Sequence, residues 1–234
     1  MKGKGGKLQR TGEVDAFLRK VAATPAPMVA SGTGRLLFAM DATASREPAW
    51  DRACRIQSEM FAATATLGGL NVQLCYYRGF NEFHATPWLS RADDMIERMN
   101  GVRCAGGVTQ VARVLKHAKG ENAGSRVNAL VFVGDCMEED VDVLCGLAGE
   151  LGLAGVPVFV FHEGAEPTAE RAFREVARLS KGAYCRFDAS SAEQLRDLLA
   201  AVAVFAAGGR QALEDFGARR GGAARRLTTQ ISKN

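Results

Sequence analysis

The sequence predicts an α/β fold with a Rossmann-like, open and mostly parallel six-stranded sheet that has helices on both faces. Short apolar runs alternate along the chain with amphipathic helical patterns, and two of these runs end in an aspartate. Strands that alternate with helices usually pair in parallel and are covered on both faces. We therefore expect the strand order 3-2-1-4-5-6 with one antiparallel edge strand.

The predicted strands are short apolar segments, as is typical of buried strands in parallel sheets. They cover residues 36–41, 71–78, 83–87, 129–135, 157–162 and 183–187. The segment 83–87 contains Pro87, which cannot donate to a sheet ladder, and is therefore assigned to the edge.

Helical spacing of apolar residues predicts the intervening helices. Six of them cover about 12–22, 48–68 (from Pro48 to Gly68), 90–99, 109–118, 168–180 and 193–206. A seventh helix, between the fourth and fifth strands, is predicted from an apolar stripe of Val141, Leu144, Cys145, Ala148 and Leu151.

We expect three parts in the chain: a basic N-terminal segment with a helix and linker over 1–34, one domain over 35–206, and a basic flexible tail over 207–234. Residues 1–20 and 207–234 each hold six Lys or Arg and two Asp or Glu, whereas 21–206 hold 18 basic and 22 acidic residues. Such ends could meet nucleic acid or acidic partners, although solvated tails are the favoured interpretation.

The cysteines and the apolar runs predict a cytoplasmic protein. None of the six cysteines forms a Cys-x-x-Cys pair, so we expect reduced, mostly buried thiols rather than disulfides or a zinc site. No apolar run reaches the ~18–20 residues of a membrane helix, and the basic N-terminus lacks the apolar stretch of a secretory signal.

Three oxygen-bearing side chains stand at alternate positions directly after the first strand: Asp41, Thr43 and Ser45. Alternate residues of an extended segment point the same way, so all three can face one point. One carboxylate and two hydroxyls suit Mg²⁺ or Mn²⁺, not zinc, which prefers His or Cys. Taken alone, the pattern is also compatible with helix capping.

Asp135 strengthens the metal interpretation because it ends the fourth strand. In the order 3-2-1-4-5-6, strands one and four are neighbours about 4.8 Å apart at the edge where ligands bind. Two carboxylates held that close repel each other unless a cation lies between them.

These residues resemble the metal-ion-dependent adhesion site of von Willebrand factor type A (VWA) domains of the bacterial type. The resemblance covers about residues 35–206 and rests on Asp41-Ala42-Thr43-Ala44-Ser45, on Thr109 after Gly106-Gly107, and on Asp135. Thr43 stands where the family usually has Ser, and Val108 where a third Gly is frequent.

The resemblance implies that Asp41, Thr43, Ser45, Thr109 and Asp135 hold Mg²⁺, or Mn²⁺ or Ca²⁺ in its place. It further implies a protein–protein interaction module, an adaptor in which an Asp or Glu of a partner protein fills an open position on the metal. Candidate contacts at the rim are Arg46, Glu47, Arg78 and Asn81.

Two other functions remain open at this stage: a Mg²⁺-dependent hydrolase or phosphatase, and nucleic-acid binding through the basic ends. The chain has no D-x-D-x-T or Walker motif, and Cys136 beside Asp135 is poorly placed to become a reactive thiolate. We therefore predict no enzymatic activity and interpret His162 and Glu163 as a solvated surface pair. The remaining aromatic and imidazole side chains are assigned to packing, to the edge strand or to a helix C-terminus: Trp50, Trp88, His84 and His117.

Overall fold

The computed structural model describes residues 16–24, 33–46, 69–187 and 192–220. The helix predicted after Pro48 lies outside the described residues, as do most of the linker and the last part of the tail, residues 221–234. Trp50 and Cys54 fall in the same undescribed part.

Six strands form one sheet in the order β3-β2-β1-β4-β5-β6, which confirms the predicted topology. All neighbouring strands are parallel except β2 and β3, so the edge strand is antiparallel as expected. The strands are β1 Gly34–Asp41, β2 Leu70–Arg78, β3 Glu82–Ala85, β4 Ala129–Gly134, β5 Val158–Glu163 and β6 Ala183–Phe187.

One face of the sheet is covered by helices α1, α2 and α6. These helices span residues 16–23, Ala92–Asn100 and Ala192–Arg220. Phe17 of α1 packs against Phe159 and Phe161 of β5, with ring centroids 6.2 and 5.2 Å apart. The amphipathic N-terminal helix therefore belongs to the core of the domain.

The opposite face is covered by helices α3, α4 and α5. They span Val111–Gly124, Val141–Leu153 and Pro167–Leu179. The alternate residues of each strand point into this second core, so Leu37 and Ala39 of β1 contact it, whereas Leu36 and Phe38 contact the first. Burial on both faces explains why inner strands such as β4 and β5 are almost continuously apolar.

Three expectations about the helices are corrected by the structure. Helix α6 continues past residue 206, where a flexible tail was expected, and a kink at Gly209 (φ 67°) precedes the buried Ala212 and Leu213. Val141 opens α4 with 36% of its surface exposed, although the apolar stripe placed it in the core. His117 lies in the middle of α3, where Nε2 lies 2.9 Å from Oε1 of Gln73, so the predicted contact with a helix C-terminus is wrong.

Five cysteines lie in the described part of the chain, and none of these five is in a disulfide: Cys75, Cys104, Cys136, Cys145 and Cys185. Cys75 and Cys185 are buried and the other three are half-buried. Within the described residues, no helix combines the length and the apolar character required to cross a membrane.

Candidate metal centre

Asp41 is the last residue of β1, and its side chain is completely buried at the carboxyl edge of the sheet. The backbone N–H of Thr43 donates to Oδ1 at 2.7 Å, and the hydroxyl of Tyr77 donates to Oδ2 at 3.1 Å. Burial raises the pKa of the Asp41 carboxyl, and the charge of Asp135 raises it further, whereas the hydrogen bonds from Thr43 and Tyr77 lower it. The carboxylate is thus held in one orientation at a position where its negative charge is unfavourable.

Asp135 follows β4, which pairs with β1 so that Met40 lies opposite Val133. A Cβ on Gly134 would lie 2.8 Å from Cζ of Phe132, so glycine leaves room for that ring directly before Asp135. Asp135 is close enough to Asp41 for its charge to raise the pKa of the Asp41 carboxyl. Among the residues that the structure describes, Oδ1 of Asp135 is buried without a hydrogen-bond partner. A buried carboxylate oxygen without a partner is costly, and a cation would satisfy it.

The two hydroxyls after Asp41 point toward each other. Oγ1 of Thr43 lies 3.1 Å from Oγ of Ser45, and Ser45 lies in a 3-10 turn that spans Ala44–Arg46. Thr43 also forms a parallel bridge with Ala105, whose N–H donates to the carbonyl of Ala42 at 3.1 Å. The loop before Thr109 is therefore fastened directly to the segment that carries the first three candidate ligands.

Thr109 is buried just before α3 and is tied to the loop that follows Asp135. Its Oγ1 accepts from the N–H of Glu138 at 3.0 Å, and its own N–H donates to Oε2 of Glu138 at 3.3 Å. A hydroxyl oxygen has two lone pairs, so Oγ1 can still serve as a metal ligand while it accepts this bond.

Glu139 fixes the same loop. This residue was not identified as a helix cap from the sequence. Its carboxylate accepts the N–H groups of Val111 at 2.5 Å and Ala112 at 2.8 Å, and so caps α3 from a distant part of the chain. The acidic run Glu138-Glu139-Asp140 is visible in the sequence. Which helix it would cap depends on tertiary structure, since 27 residues separate Glu139 from Ala112.

His162 is completely buried, so its prediction as a solvated surface residue is wrong. Nε2 lies 3.1 Å from the carbonyl oxygen of Asp135 and Nδ1 lies 2.8 Å from the hydroxyl of Tyr184. Burial lowers the pKa of His162, which favours the neutral ring. Because the carbonyl can only accept, Nε2 donates to Asp135 and Nδ1 accepts from Tyr184. His162 thereby fixes the backbone of a candidate ligand.

Two of the four candidate rim residues are already engaged within the described chain. Arg78 donates to Oε2 of Glu82 at 2.8 Å and to the carbonyl of Arg103 at 2.7 Å, and Asn81 accepts from Arg113 at 2.9 Å. Glu47 and the side chain of Arg46 lie outside the part of the molecule that the structure describes.

The candidate ligands for a divalent cation are oxygen atoms of two types, carboxylate and hydroxyl. No group of three or more His, Cys, Asp or Glu side chains gathers as a metal site in the part of the chain that the structure describes. The candidate set holds two carboxylates, at Asp41 and Asp135, and three hydroxyls. Such ligands fit a hard cation, and the unpartnered Oδ1 of Asp135 among the described residues is the atom that most requires one.

No protein-family model and no curated protein sequence matches the chain. Solved structures do match it. The VWA domain of SpRpn10 aligns over 72% of this chain and 94% of its own length, with a TM-score of 0.57 and 13% identity. The open form of the pilus adhesin SpaC from Lactobacillus rhamnosus GG aligns over 80% of this chain, with a TM-score of 0.61 and 10% identity.

A third match is proximal thread matrix protein 1 of the mussel byssus, in a form whose metal-ion-dependent adhesion site holds zinc. It has a TM-score of 0.56, 13% identity and 74% coverage of this chain. The chain spans only 31% of the adhesin and 46% of the thread protein. The matches and the strand order show that the chain has the VWA fold.

Proposed function

We propose that this chain is a protein–protein interaction module that binds an acidic residue of a partner through a divalent cation. Mg²⁺ is the proposed ion, with Mn²⁺ or Ca²⁺ as substitutes, and Asp41, Thr43, Ser45, Thr109 and Asp135 are the proposed ligands. One observation carries the proposal: the buried carboxylate of Asp41, at the end of β1, interacts electrostatically with the half-buried carboxylate of Asp135, which follows β4. Within the described chain, the buried Oδ1 of Asp135 has no hydrogen-bond partner.

The matched structures support the same kind of function. They include a pilus adhesin and a matrix protein, and in the latter an adhesion site of this class holds a metal ion. A bound divalent cation offers an anionic oxygen a coordination position that the protein does not fill. In the proposed role, Thr43 N–H and Tyr77 OH orient the Asp41 carboxylate, while Glu138 N–H orients the hydroxyl of Thr109.

The electrostatics around Cys136 offer no support for the enzymatic alternative. Burial raises the pKa of the Cys136 thiol, and the charges of Glu138 and Asp135 raise it further. A thiol in such surroundings stays protonated and is a poor nucleophile.

Metal binding is tested by following the melting temperature of the full chain during titration with MgCl2. We expect a saturable rise in Tm, because an ion that binds only the folded state stabilises it by mass action. Asp41→Ala should abolish the rise. Asp93→Ala removes an acid that is 82% exposed on α2 and should leave the rise intact. An equal response of Asp41→Ala and the wild type would place the ion elsewhere.

Partner binding is tested by affinity capture in Mg²⁺, in chelator, and with Asp41→Ala in Mg²⁺. We expect a partner that is retained only by the wild type in Mg²⁺ and is lost when one of its own Asp or Glu residues is changed to Ala. Retention in chelator would contradict the proposed role of the metal.

A further inference from the structure

Two exposed apolar side chains lie beside the proposed metal ligands. Phe80, at the turn between β2 and β3, is 80% exposed, and Val108, which directly precedes Thr109, is 39% exposed. They belong to segments that touch, since the N–H of Val108 donates to the carbonyl of Gly79 at 3.1 Å. We call Phe80 and Val108 the apolar rim.

The backbone under the apolar rim is tightly packed. A Cβ on Gly107 would lie 1.9 Å from the carbonyl oxygen of Gly79, so only glycine permits this approach of the two loops. The Gly79 turn has φ +60°, and Arg78 ties it to Arg103 through a hydrogen bond of 2.7 Å. A surface held this firmly loses little conformational entropy when a ligand binds.

Charge distinguishes the two sides of the proposed site. Residues 76–85 and 101–113 contain three arginines and one glutamate. The segment 135–142 contains five acidic residues and no basic one. An acidic partner segment is therefore attracted to the side of the apolar rim and repelled from the side of the 135–142 loop.

We propose that the apolar rim binds a large apolar side chain adjacent to the partner's metal-binding acid. The occupant is a protein segment in which Asp or Glu has an aliphatic or aromatic neighbour, and it lies across Phe80 and Val108. This proposal rests on the proposed function and deepens it, because it names the second feature by which the same site selects its partner. Val108 directly precedes Thr109, and its hydrogen bond to Gly79 holds the Phe80 turn against the same loop, so one partner segment can contact both the metal and the apolar rim.

The test uses the full chain and a displayed library of short peptides with one fixed central Glu and randomised flanks, beside a matched library with a central Gln. In Mg²⁺ the wild type should select Glu peptides over Gln peptides and enrich apolar residues next to the Glu. Phe80→Ser should still select Glu but should lose the apolar preference. Synthetic peptides should bind Phe80→Ser about 10-fold more weakly than the wild type, as expected for exposing one large side chain.

Leu153→Ser is the matched control. Leu153 is 87% exposed at the end of α4, toward the opposite edge of the sheet, and its replacement should change neither preference. Val108→Ala is a second rim variant and should weaken the apolar preference in part. Far-ultraviolet circular dichroism checks that each variant folds.

The outcomes separate this inference from the function on which it rests. Mg²⁺-dependent selection of Glu without an apolar preference, or with the same preference in Phe80→Ser, overturns the inference alone. Equal selection of Glu and Gln peptides in Mg²⁺ overturns the proposed function as well. If sedimentation shows that Phe80→Ser dissociates a dimer while peptide selection is unchanged, the rim binds a second copy and the inference is wrong.

Discussion

Tyr77 and Thr43 are the two described residues whose hydrogen bonds hold the Asp41 carboxylate, and of the two only Tyr77 does so through its side chain alone. Its hydroxyl donates to Oδ2 of Asp41 at 3.1 Å, and its side chain is fully buried as part of the second core. Burial raises the pKa of Tyr77 well above its usual value, and the negative charge of Asp41 adds to this, so the phenol stays protonated and can donate. A donor behind a metal-binding carboxylate fixes its position and strengthens metal binding.

Tyr77→Phe should therefore reduce Mg²⁺ affinity about 10-fold while the fold is retained, in the range usual for groups that support metal ligands. Tyr76→Phe is the matched control, because Tyr76 is adjacent in β2 but packs with the first core. Isothermal titration with MgCl2 measures both variants. Equal affinities for Tyr77→Phe and the wild type would show that this hydrogen bond does not contribute.

At the residue scale, the sequence allowed the prediction of the candidate ligands but not of the groups that support them. Asp41 and Asp135 each end an apolar strand, a pattern visible along the chain. Tyr77, Glu139 and His162 act across 36, 27 and 27 residues, respectively, so no local pattern indicates their roles. His162 was assigned to solvent because a histidine at a strand end is usually wet, whereas here Tyr184 and Asp135 satisfy both ring nitrogens.

At the scale of elements, the N-terminus of α3 joins two of the ligand-bearing loops. Glu139 accepts two N–H groups of its first turn, and Glu138 exchanges hydrogen bonds with Thr109 just before it. A carboxylate at this end also interacts favourably with the helix dipole. Thr109 and the loop after Asp135 are thus held together by the protein itself.

Glu139→Ala should destabilise the protein by about 1–2 kcal/mol, as loss of a capping side chain does. Glu150→Ala is a suitable control because it removes only the exposed pair with Lys119, worth about 0–1 kcal/mol. Urea unfolding measures both, and hydrogen exchange at the Val111 and Ala112 amides should quicken only in Glu139→Ala. Unchanged exchange at those amides would contradict the capping role.

The ends of helices are predicted less accurately from the sequence than the bounds of strands. Strand positions were predicted to within about two residues, because burial on both faces makes the inner strands largely apolar and Pro87 indicates the exposed edge strand β3. The end of α6 was missed because Gly208-Gly209 resembles a terminator, whereas the chain kinks at Gly209 and continues to Arg220. The helical conformation is interrupted at Gly209, as a glycine-rich helix end predicts, and the burial of Ala212 and Leu213 shows that the helical segment after the kink also packs into the domain.

At the scale of the whole molecule, α6 and β1 connect the first core to the proposed metal site. Gly34 begins β1, and a Cβ there would lie 2.4 Å from the carbonyl oxygen of Ala206 and 2.6 Å from Cα of Ala207. The helix therefore rests on the strand backbone itself. Asp41 lies at the other end of the same strand, roughly 23 Å away at the usual rise per residue.

Gly34→Ala should destabilise the protein by about 1–3 kcal/mol, because backbone atoms of α6 cannot rotate away from the added methyl group. Gly120→Ala makes the same chemical change in α3, where nothing lies within 4 Å, and should stabilise by about 0.5–1 kcal/mol. Urea unfolding gives both values. Because Gly34 is far from Asp41, the Mg²⁺ affinity of folded Gly34→Ala should equal that of the wild type. A stable Gly34→Ala would show that α6 does not rest on β1, and a stable variant with weakened Mg²⁺ binding would show that the strand transmits changes along its length.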